Sequence, residues 1–253
     1  MNLPARKGRL AGWAGHLSRN WRIVIVYLAL AFAIFALWNN ILLVPLRMLT
    51  VFVHEVSHAF AAIATGGSVL GIALAPDGSG MCVTRGGNAM VIASAGYLGS
   101  IVWGLLMLGA AERLERPWRV LMAMAVLLAL VALVWVRPMA GFGFVFSVLF
   151  AAGLVWASLE GARALHATLL RLMGLTSCLY GFADLRREVF ARSPAGSDAT
   201  LMAEMTGLPA WLWGVVWLVL AFLIAAAFMR GMIATPPSKA GTSAHMHRIS
   251  QRP

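Results

Sequence analysis

From Leu208 to Met229 the chain runs without a single charged side chain, and Arg230 closes the run. A helix needs about 20 predominantly apolar residues to cross the hydrocarbon of a bilayer. Comparable runs recur at about Ile23 to Leu43, Pro45 to Thr65, Asn88 to Ala111, Pro117 to Val136 and Met139 to Leu159. Soluble domains are roughly 45–50% apolar and about 25% charged. This chain is 61% hydrophobic and 11% charged, with a mean hydropathy of +0.83. No water-soluble fold hides that much apolar surface, so its solvent is lipid. The expected fold is an all-α polytopic membrane protein of six or seven transmembrane helices, with a short β-hairpin after the second.

The count turns on Gly161 to Val189. Its pattern is helical, but Arg163, His166 and Arg171 interrupt it and leave a short clean apolar stretch at about Leu172 to Ala183. It could span, re-enter or lie along the interface. Residues 1–22 read as a basic cytoplasmic N-terminus, 23–233 as a single transmembrane domain, and 234–253 as a disordered tail rich in Pro, Ser and His. The hairpin is expected at about 68–85: a strand over Ser68 to Ala75, a turn over Pro76-Asp77-Gly78-Ser79-Gly80, and a return strand over Met81 to Thr84.

Lys and Arg total 20 against 9 Asp and Glu, a formal charge of +11. Arg6, Lys7, Arg9, Arg19 and Arg22 precede the first apolar run with no small-residue cleavage site behind it. Such a distribution orients a protein in a membrane and meets anionic headgroups; it does not call for nucleic acid. Cys82 and Cys178 form no C-x-x-C and no disulfide framework, and read as small buried hydrophobes. Trp21, Trp38, Trp118, Trp211 and Trp213 lie near span ends, as in an interfacial belt.

The second span carries His54-Glu55-Val56-Ser57-His58, an H-E-x-x-H. Residues four apart share a helix face, so both imidazoles can reach one ion, and Glu55 projects to a neighbouring part of that surface. A hydrolytic zinc site wants three protein ligands and an open position for water, with a nearby carboxylate to take the proton of that water. Each ionisable side chain at the centre of a membrane helix costs about 2.5–3.5 kcal/mol on insertion scales. Three of them within five positions are an expensive way to pack helices, which favours a metal site held by His54 and His58 with Glu55 as general base.

With Ala59-Phe60-Ala61-Ala62 and the Thr65-Gly66-Gly67 stop, this span resembles the bacterial branch of the site-2 protease family of intramembrane zinc metallopeptidases. The resemblance continues through Pro76-Asp77-Gly78-Ser79-Gly80, Thr84-Arg85-Gly86-Gly87 and Ala95-Gly96-Tyr97-Leu98-Gly99, and returns near Asp184-Leu185 and Ser197-Asp198-Ala199. It implies a membrane-embedded zinc endopeptidase that cuts membrane-spanning or membrane-associated polypeptides in a bacterial inner membrane. No PDZ-like module occurs within these residues to select the substrate.

Well-studied members carry a Leu-Asp-Gly motif in a later transmembrane helix, whose Asp is the third ligand, and no Leu-Asp-Gly occurs here. Asp184 lies in a matching part of the chain and is the expected third ligand beside His54 and His58. Its ordinary reading is a helix-end carboxylate near Arg186 and Arg187. Asp198 is the next candidate, although Ser197-Asp198 before an apolar run reads simply as a helix cap. His166, and His245 with His247 in the tail, are further possible ligands whose plain readings are an amphipathic helix position and a tail without fixed geometry. The hairpin could offer a strand edge to an extended substrate, a role that proline at Gly71 or Ile72 would disrupt. Two other classes remain open: a protease-like scaffold without turnover, and a transporter using the same histidines.

Overall fold

The computed structural model describes residues 25–38, 40–190 and 196–234, and the His245-x-His247 pair lies outside them. The order of elements is α1 (Ile25–Ala36), a 3-10 turn (Ile41–Leu43), α2 (Val44–Ala64), β1 (Ser68–Leu74), β2 (Gly80–Arg85), α3 (Ala89–Arg113), α4 (Trp118–Trp135), α5 (Phe142–Glu160), α6 (Arg163–Phe190), α7 (Asp198–Thr206) and α8 (Ala210–Ala234). Five helices are long and apolar enough to cross a membrane: Ile41–Ala64, Ala89–Arg113, Trp118–Trp135, Phe142–Glu160 and Ala210–Met232. The expected all-α membrane architecture with one hairpin after the H-E-x-x-H helix is therefore present. The described residues fall into two compact units that divide between Pro45 and Leu46.

The first expected span, Ile23 to Leu43, is not one helix. Helical structure stops after Ala36, and the Asn40 side chain accepts the Leu42 N–H at 3.0 Å, capping a new start that runs on into α2. The apolar run is continuous there, but an Asn side chain that bonds its own backbone competes with the helix and restarts it. Ile41–Leu43 thereby belong to the second span.

The end of α2 follows the local chemistry. Gly66 has φ +82°, a left-handed conformation in which glycine pays no Cβ penalty. Gly67 N–H donates to Ala62 O at 2.8 Å and Gly66 N–H to Ile63 O at 3.1 Å, the paired bonds of a Schellman stop. The Thr65 hydroxyl then accepts Asn88 N–H at 2.9 Å, closing the hairpin's return onto α2, while Asn88 caps α3 through Met90 and Val91 N–H.

The hairpin is antiparallel and braced from the far side. Ile72 O accepts Arg137 N–H at 2.9 Å, in the segment between α4 and α5, so β1's outer edge is already engaged there. Ile72 stands opposite Cys82, and Ala75 N–H donates to Ser79 O at 2.9 Å at the turn. Counting alternate pairs from the turn makes Ile72 and Cys82 a non-hydrogen-bonded pair, so their polar groups point out of the hairpin on opposite edges.

The central helix is α3. Its small residues let neighbours close in on several sides. Gly99 lies against Ser57 of α2, Gly104 against Gly174 of α6, and Ser94 Oγ accepts Trp217 Nε1–H of α8 at 3.0 Å. Ala93, Tyr97, Ile101 and Leu105 of α3 form one buried cluster with Leu185 of α6, Ala199 and Met202 of α7, and Trp217 and Ala221 of α8. That cluster seats the short α7 beside α3.

The ambiguous segment is a single unbroken helix, α6, of 28 residues. At 1.5 Å per residue it is about 42 Å long, enough to cross a bilayer, though less apolar than the five above. Its interruptions are satisfied inside the protein: Arg171 Nε pairs with Glu112 Oε1 at 2.8 Å, and the Ser177 hydroxyl donates to Ser100 O at 2.7 Å.

Candidate metal centre

His54 and His58 are one turn apart on α2, with ring centroids 4.8 Å apart. The Nδ1 of His58 lies 2.7 Å from Ile92 O. A carbonyl oxygen only accepts, so Nδ1 carries the proton and Nε2 of the neutral ring presents its lone pair outward. His54 Nδ1 stands 3.5 Å from Ser100 Oγ, whose own proton goes to Gly96 O at 3.0 Å. Both contacts come from α3, which thus turns both Nε2 atoms the same way.

Asp198, the first residue of α7, completes the group. Its Oδ2 lies 3.3 Å from Nε2 of His54 and 3.3 Å from Nε2 of His58. Ser197 caps α7 by accepting Thr200 N–H at 3.3 Å, which leaves the Asp198 carboxylate free to reach across. Burial works against its charge, yet the His54 and His58 imidazoles set against its Oδ2 prevail and hold the carboxyl down at about 2. Asp198 is thus ionised at neutral pH.

Two nitrogen lone pairs and a carboxylate oxygen converge within 4.8 Å of one another. Two ligands each about 2.0–2.1 Å from a tetrahedral ion lie about 3.3–3.4 Å apart, which is the separation of the Asp198 oxygen from each imidazole nitrogen. Room for an ion is kept by Gly96. A Cβ at that position would stand 2.5 Å from His58 Nε2 and closer still to His54 Nε2. The donor set, its spacing and this cradle fit a metal.

Of the two aspartates singled out in the sequence, it is Asp198 and not Asp184 that meets the imidazoles. Asp184 lines the same cavity from α6, but its Oδ1 lies 3.4 Å from Arg187 Nη1 and its carboxyl is hydrogen-bonded to Tyr180. Position along the chain pointed to Asp184; the packing of α7 on α3 brings in Asp198 instead. His166 is remote from the group: it is buried, with Nε2 3.0 Å from Ala157 O, and it ties α6 to the end of α5.

Glu55 is 6% exposed and lines the cavity beside His54. The Cys82 backbone N–H donates to its carboxylate, and a Cβ on Gly80 would stand 2.5 Å from its Oε1. Strand β2 therefore presents its outward edge to the carboxylate. Cys82 is not among the converging groups, and burial, then the charges of Glu55 and Asp198, push its thiol up to about 12. The cavity holds about 400 Å³ and is walled by α2, the hairpin turn, Tyr97 of α3, and Tyr180, Asp184, Arg187 and Glu188 of α6. A cleft with a buried carboxylate next to a metal-ready triad is equipped to activate water against a carbonyl.

The family model described as Peptidase M50B-like matches residues 27–228. No curated protein and no solved structure matches the chain.

Proposed function

The chain belongs to the peptidase M50B-like family, and on that premise we propose that it is a zinc-dependent intramembrane endopeptidase. The observation that carries this reading is the convergence of His54, His58 and Asp198 on one point, with Glu55 beside it in the same cavity. His54, His58 and Asp198 would hold the zinc. The ion would supply Lewis acidity, bringing the pKa of water from 15.7 down to about 7. Glu55 accepts the proton of the attacking water and delivers it to the departing amine. The Cys82 N–H steadies that carboxylate from β2, and the Ile92 carbonyl and Ser100 hydroxyl keep the imidazoles in the ligating tautomer.

The substrate is a membrane-spanning or membrane-associated polypeptide. A peptide bond inside a helix has its carbonyl paired, so cleavage requires an extended segment. Among the described residues no strand pairs with the outer edge of β2, and that edge leads to Glu55. An unwound stretch of substrate adds to β2 as a further strand and brings its carbonyl to the cavity. The engaged outer edge of β1 leaves β2, rather than the Gly71–Ile72 side, as the receiving strand. The basic residues before Ile23 support a cytoplasmic N-terminus, in keeping with a bacterial inner membrane.

Quantitative proteomics of membranes from cells expressing wild type or Glu55→Gln tests this reading. Single-span proteins that persist uncut only with Glu55→Gln identify the substrates. Identical membrane proteomes, with both proteins present and metal-loaded, would replace the protease by a scaffold.

A further inference from the structure

Glu188 is 4% exposed on α6 and has no part in the chemistry above. Its Oε1 accepts the Tyr97 hydroxyl at 3.0 Å and its Oε2 accepts the Ser197 hydroxyl at 3.2 Å. The two donors lead to two different residues of the metal centre. The Tyr97 ring lies edge-on to His54, with centroids 5.2 Å apart. Ser197 immediately precedes Asp198 and caps the helix that carries it. One buried carboxylate thus joins α3, α6 and α7 at the residues flanking a nitrogen and an oxygen ligand.

The chemistry of these groups gives the junction a direction. A carboxylate offers only acceptors, so both hydroxyl protons turn toward Glu188. With its proton committed there, Ser197 Oγ keeps a lone pair for Thr200 N–H, and the cap and the clamp support each other. α7 is only nine residues long, and the chain leading into it from α6 includes residues outside those described. Its first turn is held by Ser197 through Glu188 and by the buried contacts of Ala199 and Met202. We propose that Glu188 is a positioning residue: by clamping the Ser197 and Tyr97 hydroxyls it fixes Asp198 and His54 in the geometry that takes the metal. The inference rests on the reading of His54, His58 and Asp198 as the metal site.

The test is zinc affinity of the full chain in detergent, measured by competition with a chelator, together with the visible absorption of the cobalt-loaded protein. Partners behind a ligand typically change metal affinity 10–100-fold when removed. Glu188→Gln and Ser197→Ala are each expected to weaken zinc by about that range and to alter the cobalt bands. The double variant should lose little more than the worse single, because both break one junction. A merely structural carboxylate would lower the melting temperature of the metal-free protein while leaving affinity and cobalt spectrum alone, and that result would overturn the proposal. Glu188→Gln keeps the shape of the side chain, and if it does not fold, Ser197→Ala and Tyr97→Phe make the same measurement from the other side of the clamp. Zinc bound by wild type, lost in Asp198→Ala and unmoved in Glu188→Gln would defeat this inference alone. Zinc that wild type does not bind, or that Asp198→Ala binds equally well, would defeat both this inference and the metal reading beneath it.

Discussion

Gly96 lies so close to His58 that a Cβ at residue 96 would stand 2.5 Å from its Nε2. The methyl group of Gly96→Ala would occupy the space an ion needs and push the imidazoles apart. Overpacking of this kind typically costs about 1–3 kcal/mol, so zinc affinity should fall by roughly 5- to 150-fold. Gly99→Ala is the matched control, because its Cβ would collide with Ser57, away from the ligand atoms. Chelator competition on both variants should show the affinity loss at residue 96 only, with lowered melting temperatures in both. Equal zinc affinity in Gly96→Ala would mean that the ion sits elsewhere.

Glu55→Gln would remove the proposed proton acceptor and leave His54, His58 and Asp198 untouched. Full zinc content is expected, with cleavage reduced by on the order of 10²–10⁴-fold, the usual contribution of a general base. Turnover of a substrate identified by the membrane comparison checks it. Cleavage within a few-fold of wild type would take the base role away from Glu55.

Much of this centre can be read directly from the sequence, because its signals are local. H-E-x-x-H places two imidazoles on one helix face, Gly66-Gly67 writes the Schellman stop, and Pro76 to Gly80 marks the turn between two strands. What stays hidden is set by tertiary packing. Ser197-Asp198 reads as a cap and is one, and nothing local tells that the second residue reaches His54 and His58. One signal was available: with Ser197 as the cap, the Asp198 carboxylate was left without a local partner at the start of a short helix. The polar interruptions of α6 obscured it for a related reason, since Arg171 is satisfied by Glu112, far away in sequence. The first apolar run reads as one long span because hydropathy does not register a cap at Asn40.

Strand addition at the hairpin separates its two edges. Thr84 alternates with Val83 on β2, and its N–H points outward, away from β1. Thr84→Pro should therefore leave the hairpin and the zinc in place and lower turnover by about 5- to 13-fold, the loss of one main-chain hydrogen bond to substrate at about 1–1.5 kcal/mol. Gly71→Pro falls in a hydrogen-bonded pair and should damage the hairpin itself, lowering the melting temperature together with turnover. Unchanged cleavage by a folded Thr84→Pro variant would remove the β2 edge from substrate binding.

His166→Ala distinguishes a structural histidine from a ligand. Ala157 O keeps the Gly161 N–H, so losing the imidazole bond should cost about 0.5–1.5 kcal/mol of stability, with zinc content unchanged. Thermal unfolding and metal analysis of the same preparation read both quantities. Zinc lost in a folded His166→Ala protein would place this residue in the metal shell, contrary to its contact with Ala157.

The most direct test compares zinc per chain in detergent-purified wild type, Asp198→Ala and Asp184→Ala. The expectation is one zinc in wild type, little or none in Asp198→Ala, and near-complete occupancy in Asp184→Ala, whose carboxylate faces Arg187 and Tyr180. Zinc that survives Asp198→Ala but is lost in Asp184→Ala would contradict it.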